Sequence, residues 1–347
     1  MRKILVFVLS CMLILGGAFS AGIAEGGEGY VVGYCEFDLS NSWTVQAQQE
    51  FIMRADELKA EGVISDYYMT NAGGDNAKQV ADMQDLMVQG CDIILLCPGS
   101  TEAMNATVEE AVEAGIVCIT WDSEVSTESI TAAVTSDQSL FGQRIGQWLG
   151  EQLPDGGKVI VLDGVAGAST SIIRSEAAIA AMLEASPEIE IIAQVACDWD
   201  YATAKAAMED LLIANPEIDG VLSQGGAMTQ AAMDAFAAAG RSMVPMTGED
   251  NNGFMKTWKA YQDEGFTSIA PGIPTYETAV ALDSAIACLR GETLDKVIYV
   301  EADPVTDDQL DEFIRDDLAD GYWVHTHLPE EKLVELFGEG GSAADLS

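Results

Sequence analysis

The chain has few positive charges: 16 lysines and arginines stand against 57 aspartates and glutamates, which gives a net charge of −41 over 347 residues. So negative a protein repels the phosphate backbone of nucleic acids and anionic lipid headgroups, which excludes both as main binding partners. Aromatic residues make up only 7% of the chain, but 48% of the residues are apolar, so one large core or two ordinary cores can form. Disordered and collagen-like chains are thereby excluded.

Catalytic signatures are also scarce. The two histidines, His325 and His327, lie near the C-terminus without a nearby cysteine or an H-E-x-x-H helix, which predicts a surface pair rather than a metal site. The sequence lacks a G-x-S-x-G elbow and a G-x-G-x-x-G loop. We therefore expect a binding protein without cofactor or metal. An exported sugar-active enzyme with a pair of catalytic carboxylates stays an alternative.

The N-terminus has the form of a secretory leader. Met1, Arg2 and Lys3 precede an uncharged run, residues 4–15, and a stretch of small residues that ends at Ala24. The apolar run is too short for a membrane span of about 20 residues, and we expect no membrane insertion of the mature chain. Residues 1–24 are predicted to be removed on export to the periplasm or the outer face of the cell envelope, with lipidation at Cys11 as an alternative.

Six cysteines remain after this cleavage, an even number that permits disulfides in an exported protein. Most of them lie in or at the ends of apolar runs, where a thiol behaves as a small buried hydrophobe. We favour free buried thiols and leave one disulfide open.

Short runs rich in valine and isoleucine alternate with amphipathic segments along most of the chain. The strand candidates are 31–37, 64–70, 92–98, 117–122, 158–163, 189–197, 220–224, 244–248 and 267–270. The helix candidates are 44–60, 77–89, 101–114, 140–152, 171–185, 202–214, 228–239, 254–263 and 278–289. This alternation predicts an α/β fold of doubly wound parallel sheets. The strands are too many for one open sheet, so we predict two lobes with a ligand cleft at the carboxyl ends of their strands.

Polar and aromatic side chains recur at these predicted strand ends. Asp122 can accept two hydrogen bonds from a vicinal diol, or it can cap a turn. Arg174 can hold two ring oxygens with its planar guanidinium, or it can form a salt bridge, for instance with Glu176. Trp43 and Trp199 offer flat faces to the C–H side of a sugar ring, although Trp43 fits a core position equally well. The combination favours a neutral polyhydroxylated ligand.

The order and spacing of these segments resemble the type I periplasmic sugar-binding proteins of ABC importers, the ribose- and galactose-binding group, as far as about Val305. The landmarks are 31–43, 84–95, 117–122, 164–167, 211–221 and 248–250. The resemblance implies a hinge of three chain crossings, near Ser136, Pro271 and Pro304. One lobe then comprises residues 30–135 and 272–303, the other 136–271 and 304–325, and residues 326–347 form a C-terminal tail.

Carried over residue by residue, the resemblance implies that a sugar is hydrogen-bonded by Asn41, Asp122, Arg174 and Asp250 and is sandwiched by Trp43 and Trp199. It adds to the same pocket Thr44, Cys97, Ser123, Gly225, Asn251 and Gly272. Several of these added residues are smaller or less polar than the amide and guanidinium groups of the ribose pattern, which predicts a roomier pocket or a different hydroxyl pattern.

The implied function is that of a monomeric, non-catalytic receptor that delivers a monosaccharide or polyol to an ABC permease. The alternative is a protein of the same fold that binds a furanosyl signal molecule or a cyclitol and feeds a chemoreceptor or signalling system.

Overall fold

The computed structural model describes residues 29–343, so the predicted leader with Cys11 and residues 344–347 lie outside the described part of the chain. Strands and helices alternate through it and form two parallel sheets. Within residues 29–343, none of the helices combines the length and the apolar composition that a bilayer crossing requires.

The first sheet is built from β1 (Tyr30–Glu36), β2 (Ile64–Asn71), β3 (Ile93–Leu96), β4 (Val117–Trp121), β5 (Ala132–Thr135) and β9 (Val297–Tyr299). Its spatial order is β2-β1-β3-β4-β5-β9. The helices that accompany it are α1 (Ser42–Ala60), α2 (Asn76–Val88), α3 (Asn105–Glu113) and α9 (Glu277–Leu289). Strands β3 and β4 are buried throughout, which explains why their sequences are apolar except for Thr120 of β4.

The second sheet is built from β6 (Gly157–Asp163), β7 (Ile189–Ala196) and β8 (Gly220–Ser223), in the order β7-β6-β8. Its helices are α4 (Gln138–Gln152), α5 (Ser169–Ala185), α6 (Tyr201–Ala214), α7 (Gly226–Ala238) and α8 (Asn252–Gln262). The carboxyl ends of these strands lead into the loops that are described below as the candidate site.

Two predicted strands are wrong. Residues 244–248 and 267–270 contribute only single bridges, Met246 to Val221 and Ala270 to Val305. A proline lies within or directly after each run, and its missing N–H prevents a longer ladder. Conversely, strands β5 and β9 were not predicted. Strand β5 is rich in small residues, and strand β9 is only three residues long.

The chain passes between the two sheets three times. It leaves the first sheet after β5, returns to it with α9 and β9, and then bridges Val305 to Ala270 beside the second sheet. The lobe boundaries derived from the sequence stay predictions.

The C-terminal tail packs on the first sheet's helix α1. The short helix α10 (Leu310–Phe313) lies before the tail and packs in the core beside the second sheet. The tail contains α11 (Glu330–Phe337), whose apolar side chains Leu333, Leu336 and Phe337 are buried. Their cluster extends to Val45 and Met53 of α1. The tail is therefore part of the packed structure.

All six cysteines of residues 29–343 are free thiols, and five of them are buried. Burial raises the pKa of Cys35, Cys118 and Cys197 to about 12. These thiols stay protonated at neutral pH and are poor nucleophiles.

Helices α4 and α5 approach each other closely along a row of glycines. A Cβ atom on Gly142 would lie 2.9 Å from the Cβ of Ala177, and one on Gly146 would lie 2.8 Å from the Cα of Ala178. Gly150 continues the row one turn later, against Met182. The spacing of four residues keeps these glycines on one face of α4.

We predict that Gly146→Ala destabilises the protein by about 1–2 kcal/mol. In an open helix this change would stabilise by up to about 1 kcal/mol, but here the new methyl group meets backbone atoms, and overpacking costs about 1–3 kcal/mol. Urea unfolding measures the difference, with Gln147→Ala on the exposed side of α4 as the control. An unchanged or raised midpoint for Gly146→Ala would contradict the close packing.

Candidate functional site

A cavity of about 460 Å³ lies between the carboxyl ends of strands from both sheets. Its volume is within the range of about 300–1,000 Å³ that is usual for small-molecule sites. The cavity brings together most of the predicted pocket residues: Asn41, Trp43, Thr44, Cys97, Asp122, Ser123, Arg174 and Trp199.

The N-terminus of α1 supplies one wall. Asn41 caps the helix, because its Oδ1 accepts a hydrogen bond from the Thr44 N–H at 3.0 Å, and its amide nitrogen remains available to the cavity. Trp43 donates from Nε1 to the Ile273 carbonyl at 3.1 Å and stacks on Trp121, with ring centroids 6.0 Å apart. Trp43 is thus a core residue and a cavity residue at the same time.

Asp122 follows β4 and adopts a left-handed backbone conformation with φ of 55°. Its Oδ2 accepts hydrogen bonds from the hydroxyl of Ser123 at 3.2 Å and from the hydroxyl of Thr170 at 3.4 Å. Thr170 belongs to α5, so this carboxylate joins the two halves of the cavity. Burial raises the pKa of Asp122, and the nearby Arg174 opposes that rise.

Arg174 is almost fully buried at 2% exposure. Its Nε donates to Gln138 Oε1 at 2.7 Å, and its Nη1 donates to the Gln224 carbonyl at 3.0 Å and to Glu249 Oε1 at 2.9 Å. The salt bridge considered from the sequence therefore exists, but with Glu249 instead of Glu176. Within the described residues Nη2 has no protein hydrogen bond, and Arg174 lines the cavity.

Trp199 follows β7 in a strained turn. The φ angle of Trp199 is 54°, and that of Asp198 is 55°. Within the described residues, only these two and Asp122 have a positive φ among the non-glycine residues. All three line the cavity. Such strain often marks functional sites. A Cβ atom on Gly164 would overlap the indole, and one on Gly225 would lie 2.8 Å from it, so both glycines make room for Trp199.

Four predicted pocket residues do not line the cavity: Gly225, Asp250, Asn251 and Gly272. Gly225 lies behind Trp199, as described above. Asn251 caps α8, because its Oδ1 accepts a hydrogen bond from the Phe254 N–H at 3.2 Å. Ligand contacts by these residues stay predictions that the geometry does not favour.

Asp250 is fully buried and pairs through Oδ2 with Nδ1 of His325. The imidazole occupies the space beside Gly272. The prediction that both histidines lie on the surface is therefore wrong for His325, whose side chain is only 18% exposed. His327 is exposed and stacks on Tyr276, with ring centroids 3.7 Å apart.

Several cavity residues were missed from the sequence. Trp323 of the C-terminal segment donates from Nε1 to the Ser42 hydroxyl at 2.9 Å, and its backbone exchanges two hydrogen bonds with the Gln46 side chain. No local pattern around Trp323 indicated this position. Glu36 could have been found, because it ends β1 just as Asp122 follows β4. The other missed acidic and aromatic side chains are Phe37, Asp38, Asp198, Asp200 and Glu249.

Glu36 and Glu249 are buried carboxyls at the cavity wall. Burial raises the pKa of Glu36 to about 8, although hydrogen bonds from the Tyr34 hydroxyl and the Phe37 N–H oppose the rise. Burial likewise raises the pKa of Glu249 to about 8, against the attraction of Arg174. Glu36 can therefore carry a proton near neutral pH and donate a hydrogen bond, whereas Glu249 accepts a hydrogen bond from Arg174.

Comparison with known proteins gives one family and several relatives. A model of the periplasmic binding protein domain matches residues 32–293. The ribose import binding protein of Escherichia coli K12 is 29% identical over 254 residues, which cover 73% of this chain and 83% of that protein. The xylitol-binding protein of Mycolicibacterium smegmatis is 27% identical over 244 residues, which cover 70% of this chain and 68% of that protein.

A solved structure supports the fold. The ABC transporter solute binding protein from Thermobispora bispora matches with a TM-score of 0.78 at 23% identity, over 90% of this chain and 97% of that chain. This likeness and the two parallel sheets confirm the predicted fold class.

We predict that Glu36 makes the ligand-free protein less stable as the pH rises from about 4.5 to about 8. Its pKa is about 8 in the folded protein against an ordinary 4.5, so the folded state binds a proton that the unfolded chain has already lost. The contribution to the free energy of unfolding falls by at most about 1.4 kcal/mol per pH unit.

Urea unfolding at several pH values measures this slope for the wild type, for Glu36→Gln and for the exposed control Glu113→Gln. The slope should flatten in Glu36→Gln and remain in Glu113→Gln. Identical slopes in all three proteins would contradict a buried, protonated Glu36.

Proposed function

Because the chain belongs to the periplasmic binding protein family, we propose that it is an extracytoplasmic receptor that binds a monosaccharide or related polyol in the cavity and delivers it to an ABC permease. The proteins of this family carry their substrates without converting them, so no catalytic step is part of the function. The names of the ribose- and xylitol-binding relatives support this class of ligand.

The observation that carries the proposal is the composition of the cavity. Trp43 from the first half and Trp199 from the second present aromatic faces that suit the C–H side of a sugar ring. The carboxylate of Asp122 can accept hydrogen bonds from two adjacent hydroxyls, and the free Nη2 of Arg174 can donate to a ring or hydroxyl oxygen. Asn41 adds an amide donor to the cavity lining.

In the proposed mechanism the two halves close around the ligand. A sugar gains contacts to both walls only when they approach each other, so binding shifts the population toward the closed form. The three chain crossings supply the hinge, because each can change its backbone angles without disturbing a sheet. The closed form is then the one that the permease recognises.

Location and partners follow from the same proposal. Residues 1–24 direct export, and the mature chain acts as a monomer in the periplasm or on the outer face of the cell envelope. The net charge of −41 supports the absence of nucleic-acid and lipid partners. The alternative of a furanosyl signal molecule or a cyclitol uses the same cavity and differs in the partner, a chemoreceptor or sensor in place of a permease.

A thermal-shift screen of the mature protein against pentoses, hexoses, cyclitols, alditols and amino sugars tests the ligand class. A ligand that binds only the folded state at a hundred times its Kd stabilises by about 2.7 kcal/mol and raises Tm by several degrees. The proposal expects at least one such ligand, recovered chemically unchanged after incubation. If no compound in the panel raises Tm, or if the ligand is converted, the proposal fails.

Asp122→Asn tests the site itself. Asparagine tolerates the left-handed backbone at this position, so the fold should be retained. We expect the affinity for the ligand found by the screen to fall at least about tenfold. Both oxygens of the carboxylate accept hydroxyl hydrogen bonds, whereas the amide accepts only through its single oxygen. Isothermal titration calorimetry gives Kd, with the exposed Asp210→Asn as the control. Equal affinity in Asp122→Asn and wild type would remove Asp122 from the site.

A further inference from the structure

The cavity holds many more acidic groups than cationic ones. Its lining contains six carboxyl groups and the single guanidinium of Arg174, which is already paired with Glu249. The carboxyl groups belong to Glu36, Asp38, Asp122, Asp198, Asp200 and Glu249. Even with Glu36 and Glu249 protonated, the remaining carboxylates outnumber the one cation.

The acids come from both walls. Asp38 follows β1, whereas Asp198 and Asp200 follow β7. After burial itself, the charges of Asp200 and Asp38 raise the pKa of Asp198, and Asp38 does so from the opposite wall of the cavity. Closure shortens the distance between the two walls and strengthens this repulsion. A positive charge between them would convert the repulsion into attraction.

Aromatic rings accompany the acids. Phe37, Trp43, Trp199 and Trp323 all line the cavity, and Trp199 already has one cation near its ring, because the Arg174 Cζ lies 5.9 Å from the ring centroid. Aromatic faces attract organic ammonium groups, whereas Ca²⁺ and Mg²⁺ require shells of oxygen ligands. The rings therefore favour an organic cation over a metal ion.

We propose that the preferred ligand is an amino sugar or amino polyol, whose ammonium group lies between the carboxylates of Asp38 and Asp198 while its hydroxyls meet Asp122 and Arg174. The inference rests on the proposed function, since it names the substrate class of the same cavity. Hydroxyl recognition alone does not require acids on both walls, but an ammonium group does benefit from them.

Matched ligands test the charge. Calorimetric titrations at constant ionic strength and neutral pH compare D-glucosamine with D-glucose and N-acetyl-D-glucosamine, D-galactosamine with D-galactose, and 1-amino-1-deoxy-D-glucitol with D-glucitol. At least one amine should bind about tenfold or more tightly than its neutral partner. The N-acetyl form keeps a substituent on the same carbon but has no charge, so it separates charge from size.

Two variants locate the ammonium group. Asp38→Asn and Asp198→Asn each remove one carboxylate, and asparagine tolerates the positive φ of Asp198. Each change should weaken binding of the amine about tenfold more than binding of its neutral partner, so that the preference for the amine is lost. Asp210→Asn removes an exposed carboxylate from α6, outside the cavity lining, and should change neither.

The possible failures are distinguishable. Neutral sugars that bind as tightly as their amines would overturn the inference and leave the proposed function intact. The inference would also be overturned if CaCl₂ competed with the amine for the wild-type protein but not for Asp38→Asn or Asp198→Asn. The acids would then form a metal site. If no compound of either class binds, both the inference and the proposed function are contradicted.

Discussion

The buried guanidinium of Arg174 is the interaction on which the rest of the cavity depends. It hydrogen-bonds Gln138, Gln224 and Glu249, which lie in three separate segments of the chain. Because these segments converge on one cation, their loops keep a fixed spacing at the strand ends. Burial raises the pKa of both Asp122 and Glu249, and the positive charge of Arg174 offsets part of that rise. Removal of Arg174 would therefore change the ligand-free structure as well as its binding.

The C-terminal segment is a second constraint, and it acts on both halves. Trp323 is tied to Ser42 and Gln46 of α1, while His325, two residues later, pairs with Asp250 beside the second sheet. A change in the angle between the halves must therefore preserve or rearrange these contacts. This segment also completes the wall of the cavity with an aromatic face.

Much of the fold and about a third of the residues that line the cavity could be predicted from the sequence. Fully buried strands such as β3 carry an unbroken apolar signal, whereas β9, none of whose residues is buried, becomes a strand only through its neighbour β5. Side chains that directly follow strands, such as Asp122, were found because parallel strands end at one edge. Asp250 was chosen for the cavity, but its neighbour Glu249 lines it, because the Asp250 side chain pairs with His325 instead. Trp323 was missed because tertiary packing alone brings it to the site.

A crystal structure of the protein with the ligand identified by the screen tests the central claim most directly. We expect one ligand molecule in the cavity between Trp43 and Trp199, within hydrogen-bond distance of Asp122 and Arg174, and contacted by residues of both halves of the protein. A ligand bound elsewhere, or held by one half alone with the cavity open, would contradict it.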